Sequence, residues 1–457
     1  MKLSINNFKT IRELKDFSFN SINIISGVNS SGKTSFIQFL LLLKQTIEAQ
    51  LANPILVFDG DLIKLGEYDS LVYKKDSNND IEFEVQFNKQ ELKKNIVIQG
   101  ISEIENLYIS AKYSSIGNDI ILKKIKFQYT TIFNNKEKVH SIEFLNNNGK
   151  YNVTTDTLLF GNFMPILDEN NNLKPINDAT LSFNSFIPLT LINEDIGDEI
   201  KTQNILQFLG DYFAKIFYIG PLRAEPNDFY PHNKKNKYIG KNGEYAAQFL
   251  EEEASNIVEF CPIQKDDTIG ELKQISLSEA VKYWICDVFH LAKDITADKD
   301  NDRYIVKVIN HYGVESTIRQ VGFGISQVLP IIVEGLRMDK NGLLILEQPE
   351  IHLHPKVQSL LFDFIYSMSL TGKRFLIETH SDHFITRMRR RVAESKANLA
   401  EKINLVFVEQ RETEHLFHKL NLDDMGTFDY FPTDFVEQTE DFGAIIMAQA
   451  KKAKIKQ

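Results

Sequence analysis

At 457 residues, 43% of them hydrophobic, the chain can bury a large core and has the length of two or three domains, or of one body with insertions. Its 52 basic against 62 acidic side chains leave a formal charge of −10, which argues against a protein that coats nucleic acid and leaves only local basic patches for that role. Cys261 and Cys286 are the only cysteines and give no support to a disulfide framework or a zinc site. The N-terminus carries no charged and apolar leader, and no window of about twenty uninterrupted apolar residues could span a bilayer, so the expected setting is the cytosol, with no membrane.

MKLSINNFKTIREL at the N-terminus reads as strand. SINIIS (Ser21–Ser26) is a β-branched run that leads into GVNSSGKT (Gly27–Thr34), and SFIQFLLLLKQTI (Ser35–Ile47) is an apolar helical pattern. The octapeptide fills every fixed position of G-x-x-x-x-G-K-[ST]. Strand, glycine-rich loop and helix in that order suit the phosphates of a nucleoside triphosphate. Gly27 and Gly32 let backbone N–H groups turn inward, Lys33 reaches the β- and γ-phosphates, the Thr34 hydroxyl sits on Mg²⁺, and the helix dipole adds positive potential.

Residues 80–160 alternate apolar and polar positions (DIEFEVQF, LYISAKY, ILKKIKFQY) and read as antiparallel strands joined by Asn-rich turns such as NNNGK (Asn146–Lys150). From about Asn193 to Asp300 amphipathic helical stretches appear, QNILQFLGDYFAKIF and SLSEAVKYWICDVFHLAK, with no sustained heptad. VGFGISQVLPIIVEGL (Val321–Leu336) opens an apolar helix with two glycines and a serine. LLILEQPEIHLHP (343–355) is an apolar strand followed at once by carboxylates, the pattern of a buried parallel strand that delivers a metal-binding side chain. RFLIETHS (374–381) repeats it, ending in Thr379, His380 and Ser381. Polar groups at strand ends and helix starts build ligand sites in open α/β sheets.

Other clusters have plainer readings. Glu350, His352 and His354 lack a further metal ligand at a fixed spacing. Arg387, Arg389, Arg390 and Arg391 are candidates for nucleic acid, although helical spacing more often gives a solvated face; Lys234, Lys235, Lys237 and Lys241 form a second cluster. Asp423 and Asp424 look superficially like nuclease acids, but roughly 30 residues follow them, short of a domain. The terminal KKAKIKQ reads as a solvated tail.

In this order the motifs resemble the ABC-type ATPases of the RecF, SMC and OLD group. LGEYDSLVY (Leu65–Tyr73), YIGPLRAEP (Tyr218–Pro226), GKNGEYAAQFL (Gly240–Leu250), VGFGISQVLP and EQPEIHLHP are similar to a bacterial ATPase family whose C-terminal part is a domain of unknown function, with relatives in anti-phage systems such as Septu and Gabija. The resemblance implies an α/β fold: an ABC-type P-loop ATPase head with a mixed, mostly parallel core sheet, an antiparallel β subdomain and a helical insertion. Its parts would be 1–90, the N-terminal core with the phosphate loop; 91–190, a β-rich insertion; 191–302, a helical lobe; and 303–457, the C-terminal core.

Carried over, the resemblance makes Asn29, Ser30, Ser31, Gly32, Lys33, Thr34 and Ser35 the ATP-binding loop. It sets Glu347 with Thr34 at Mg²⁺ and His380 at the γ-phosphate. Gly322–Gln327 takes the place of the signature motif that contacts the opposite subunit's γ-phosphate, through Gly324 and Ser326, although GFGISQ is not LSGGQ. Gln348 stands where most of the superfamily has a water-activating Glu. Glutamine cannot accept a proton, and general-base assistance is typically worth about 10²–10⁴-fold, so slow hydrolysis is expected unless Glu350 substitutes. The implied function is a slow ATPase that dimerises head to tail, or forms a higher homo-oligomer, as the sensor subunit of a defence complex with a separate nuclease or toxin effector. The alternative is an ATP-dependent DNA clamp or repair mediator, and a transporter subunit is a weaker third reading.

Overall fold

The computed structural model describes residues 1–28, 31–92, 104–116, 119–133, 136–156, 175–192, 197–199, 202–233, 237–395, 398–411 and 415–430. The chain divides into two compact units, one of Met1–Phe19, Thr34–Ala214 and Glu412–His415, the other of Asn20–Lys33, Lys215–Arg411 and Leu416–Gln457.

The first unit is built on one long sheet. Its strands lie in the order Gly197–Glu199, Ile187–Ile192, Ile176–Asn184, Lys150–Thr155, Lys136–Asn147, Asp119–Phe133, Ile104–Ile116, Ile81–Asn88, Lys2–Phe8 and Ile11–Ser18. Every neighbouring pair is antiparallel. Ile81, Phe83, Val85 and Phe87 face inward and the residues between them do not, the period-2 pattern that fixes register by burying one face. The NNNGK turn closes a hairpin in which Asn147 pairs with Lys150, and Asn148 and Gly149 have φ of 52° and 89°, as a two-residue turn with positive φ at both central positions requires. The apolar helix expected over Ser35–Ile47 runs Lys33–Ala49, and its Phe39 meets Phe8 and Phe83 edge-on at 5.0 and 5.6 Å.

The second unit carries the phosphate loop. Its main sheet has the order Ile216–Ile219, Leu343–Glu347, Arg374–Glu378, Ile22–Gly27, Ile403–Gln410, His415–Leu420, and the first five strands are parallel. Leu343–Glu347 and Ile22–Gly27 are buried throughout, which explains their continuous apolar sequences, since a parallel sheet is covered on both faces. The helices Phe323–Arg337, Pro355–Leu370 and Asp382–Glu394 contribute to that core. Trp284 fills its centre, edge-on to Phe364 at 5.1 Å. Residues 191–302, expected as a helical lobe, hold the helices Gln203–Phe213, Ala246–Glu252 and Leu277–Lys282 interleaved with short strands such as Ile257–Phe260 and Asp294–Asp300.

Several sequence clusters turn out to be structural. Asp363 is 0% exposed and accepts from Arg387 Nε and Nη2 and from Arg391 Nε at 2.6–3.0 Å. Asp267 closes the network on Arg387, Arg390 and Arg391, while Arg389 donates to the Gly426 carbonyl at 2.7 Å. Arg387 and Arg391 are thus tied into the unit's own buried ion pairs, whereas the Arg390 side chain stays about half exposed. His354 Nδ1 caps the helix Pro355–Leu370, and among the described residues no group of three or more His, Cys, Asp or Glu could hold a metal ion. Asp423 accepts the N–H groups of Met425 and Thr427 at 3.0 and 2.7 Å, a turn function. Lys234, Lys235 and the KKAKIKQ tail lie outside the described residues.

Candidate nucleotide site

The strand Ile22–Gly27 delivers the phosphate loop to the end of the parallel sheet. Gly27 has φ 147°, and a Cβ there would run into the carbonyl oxygen of Val408 in the adjacent strand. Gly32 has φ 90°, so both fixed glycines occupy backbone that other residues rarely adopt. Lys33 is buried, and its ammonium donates to the carbonyls of Gly27 and Val28 at 3.0 and 2.6 Å and to Ser31 Oγ at 3.4 Å. Burial lowers its pKa, and the carboxylates of Glu378 and Glu350 pull the other way. Thr34 and Ser35 follow in the first turn of the helix, where the Ser35 and Thr10 hydroxyls share a hydrogen bond of 2.9 Å. Asn29 and Ser30 lie outside the described residues.

Carboxylates gather at the ends of the next two strands. Glu347 and Glu378 are register partners, and Glu378 is in turn paired with Ile25 of the loop strand. They are 6% and 2% exposed. Burial, then the Glu378 carboxylate, pushes Glu347 up to about 7, against the Tyr218 hydroxyl, which donates to Glu347 Oε1 at 2.9 Å, and Arg223. Burial also raises the Tyr218 hydroxyl. Two like charges a strand apart are costly in a dry site, which favours the protonated form of Glu347.

Behind Glu347 the chain turns sharply. Gln348 has φ 44°; its N–H donates to the Glu378 carbonyl at 2.8 Å, and its own carbonyl accepts from Ile351 N–H at 3.2 Å. The turn presents Glu350, whose Oε1 accepts the His380 N–H at 2.7 Å and which also takes a hydrogen bond from the Thr379 hydroxyl. Glu350 Oε2 is buried with no protein partner. Burial raises this carboxyl above the usual range. His380 is pushed down to about 4 by burial and by the Lys33 charge, so its imidazole is neutral at pH 7. Ser381 caps the following helix, accepting Phe384 N–H at 3.1 Å.

Glu350 and His380 thus interact electrostatically with Lys33, and Glu347 and Gln348 lie at the strand end and turn that lead to Glu350. Gly324 and Ser326 belong to a different feature, the start of the helix Phe323–Arg337. Gly324 is half-buried, whereas Ser326 is 4% exposed and its hydroxyl donates to the Phe323 carbonyl at 2.8 Å. That hydroxyl is turned into its own helix. Three contributors carried no role in the sequence reading: Tyr218 and Arg223, both inside YIGPLRAEP, and Glu378, inside RFLIETHS. A lone acid at the end of an apolar strand was the available signal for Glu378.

A family model described as an AAA ATPase domain (AAA_15) matches residues 1–385. The chain belongs to that AAA ATPase family. No curated protein matches this AAA ATPase. Among solved structures it is similar to the SMC head domain from Thermotoga maritima (9% identity, 92% of this chain and 97% of that chain, TM-score 0.37). It is likewise similar to an SmcHead bound to the C-winged helix domain of ScpA (12%, 92% and 98%, TM-score 0.40). A third is an Smc head domain with an extended coiled coil bound to the C-terminal domain of ScpA derived from Pyrococcus furiosus (10%, 92% and 96%, TM-score 0.41). Among the described residues of this AAA ATPase no helix is long and apolar enough to cross a membrane.

Proposed function

We propose that this AAA ATPase hydrolyses ATP slowly and works as an ATP-held switch, with Glu350 in place of Gln348 as the group that activates water. The carrying observation is Glu350 itself, one oxygen fixed by His380 and Thr379 and the other buried without a partner. In this reading the water oxygen attacks the γ-phosphorus, its proton passes to Glu350 Oε2, and the bond to the β-phosphate oxygen breaks. Lys33 neutralises the β- and γ-phosphates, and neutral His380 donates an N–H to the γ-phosphate. Bound Mg²⁺ would offset charge on the phosphate oxygens, with the Thr34 hydroxyl and Glu347 as the oxygen donors assigned to it.

Steady-state rates test the assignment, with ATP binding measured separately by calorimetry and Lys33→Ala as the binding-deficient control. Glu350→Gln should lower turnover by about 10²-fold while ATP still binds, and Gln348→Glu should change little. A rate in Glu350→Gln within about two-fold of wild type would remove Glu350 from the chemistry.

Slow turnover fits a sensor subunit that acts through a separate nuclease or toxin, the role implied by the resemblance to anti-phage ATPases. The internally paired arginine run weighs against the rival DNA clamp. Co-purification with an effector supports the first reading; tight, salt-sensitive DNA binding by the isolated chain would favour the second.

A further inference from the structure

Arg223 follows the edge strand Ile216–Ile219 and is 7% exposed. Its Nη2 donates to the Glu347 carbonyl at 3.2 Å, and Nη1 and Nη2 both reach the Gln348 carbonyl at 3.1 Å. The guanidinium is therefore applied to the backbone of the turn and not to a carboxylate, although Glu347 and Glu350 both act on it electrostatically. Its own loop is held in turn: Gly220 N–H donates to the Lys241 carbonyl at 2.8 Å and Ala224 N–H to the Asn242 carbonyl at 2.7 Å.

The turn needs holding. A non-glycine residue at φ 44° occupies a sparsely populated region and persists there only where its surroundings over-determine it. Both backbone groups of Gln348 are fixed, its N–H on Glu378 and its carbonyl under three donors: the two Arg223 nitrogens and Ile351 N–H. The residues on either side of this strained position are Glu347 and, two further on, Glu350. Five rigid donors in a planar fork suit two successive carbonyls as no lysine can.

We propose that Arg223 is a positioning residue for hydrolysis, clamping the turn at Gln348 so that the carboxylates of Glu347 and Glu350 stay aimed at the nucleotide. This rests on the role given to Glu350 above. A misplacement of about 1 Å at a reacting centre can cost on the order of 10²-fold in rate, and that is the size of effect expected.

The test takes the full chain with Arg223→Ala and Arg223→Lys. In nucleotide-free protein, amide hydrogen exchange of the peptide covering residues 347–354 should speed up in Arg223→Ala, with the neighbouring strand Arg374–Glu378 unchanged. With ATP, kcat should fall about 10²-fold and KM stay within about three-fold. Guanidinium chloride at millimolar concentration should restore part of the rate, and sodium chloride at equal ionic strength should not. Arg223→Lys, which keeps the charge and the stem, should fall between. Unchanged exchange at 347–354, or a kcat within about two-fold of wild type in folded Arg223→Ala, overturns the proposal. So does exchange that rises evenly over the whole chain in both variants, which would mark a merely structural role. If wild type hydrolyses no ATP, the switch reading fails by itself and the exchange comparison still decides on Arg223.

Discussion

Burial drives Glu347, Glu350, Lys33 and His380 each toward its neutral form. His380 yields a pH prediction with a definite sign. Its folded value near 4 lies below the 6.5 of an unperturbed imidazole, so between these values the unfolded chain binds a proton that the folded chain does not. Stability should therefore fall as pH drops from about 6.5 toward 4. In His380→Gln that contribution is absent. Urea midpoints at pH 7.5, 5.5 and 4.5 should decline less steeply in the variant, and parallel declines would show that His380 takes up a proton equally in both states.

At the scale of elements, Asp363 on the helix Pro355–Leu370 ties down the helix Asp382–Glu394 through Arg387 and Arg391. Removing one partner of such a buried network strands the others. Asp363→Ala should cost about 3–5 kcal/mol, read as a lower denaturant midpoint; a loss below about 1 kcal/mol would mean that water or Asp267 replaces it. The helix Phe323–Arg337 begins at Gly322, with φ 75°, and Phe323 is 57% exposed. If its first turn meets the nucleotide of a second copy, Gly324→Glu should leave ATP affinity within about two-fold and abolish ATP-dependent dimerisation, because a carboxylate repels phosphate. Gly324 can accept this change, since an added Cβ meets only Leu291 Cδ2 at 3.8 Å, whereas Ser326→Arg would force a charge into the core. Sedimentation with a non-hydrolysable ATP analogue reads the result, and a wild-type mass shift would exclude the contact.

For the whole molecule, the site is a load that the rest of the fold sustains. Glu347 has a folded value of about 7 against an ordinary 4.5, so folding favours its protonated form, and wild-type stability is lost as pH rises from about 4.5 through 7. Glu347→Gln should melt higher than wild type without nucleotide, by a few degrees at pH 8 for a gain of about 1–2 kcal/mol, and by less at pH 5. The same variant should lose the Mg²⁺-dependent part of ATP affinity. Equal melting at both pH values would mean that Glu347 is ionised at no cost in the folded chain.

The phosphate loop was legible because Gly27, Gly32 and Lys33 are required by the local geometry of one strand, one turn and one helix, all within a few residues of each other. The apolar runs Leu343–Leu346 and Phe375–Ile377 were legible for a similar reason: a strand covered on both faces has no polar position to vary. Gln348 stood out only against the Glu usual in the superfamily the motifs resemble, and the sequence offered Glu350, two residues on, as a substitute without showing how the turn holds it. The ion pairs of the arginine run were not legible because the partners of Arg387, Asp363 and Asp267, lie 24 and 120 residues before it. Arg223 is 124 and 125 residues from the carbonyls it clamps, and a donor aimed at backbone leaves no side-chain pattern in its target. The sequence by itself determined the local chemistry of the loop and the buried strands; only the tertiary structure decided which distant charges meet, because ion pairs and clamped turns depend on how strands are ordered in a sheet and not on their spacing along the chain.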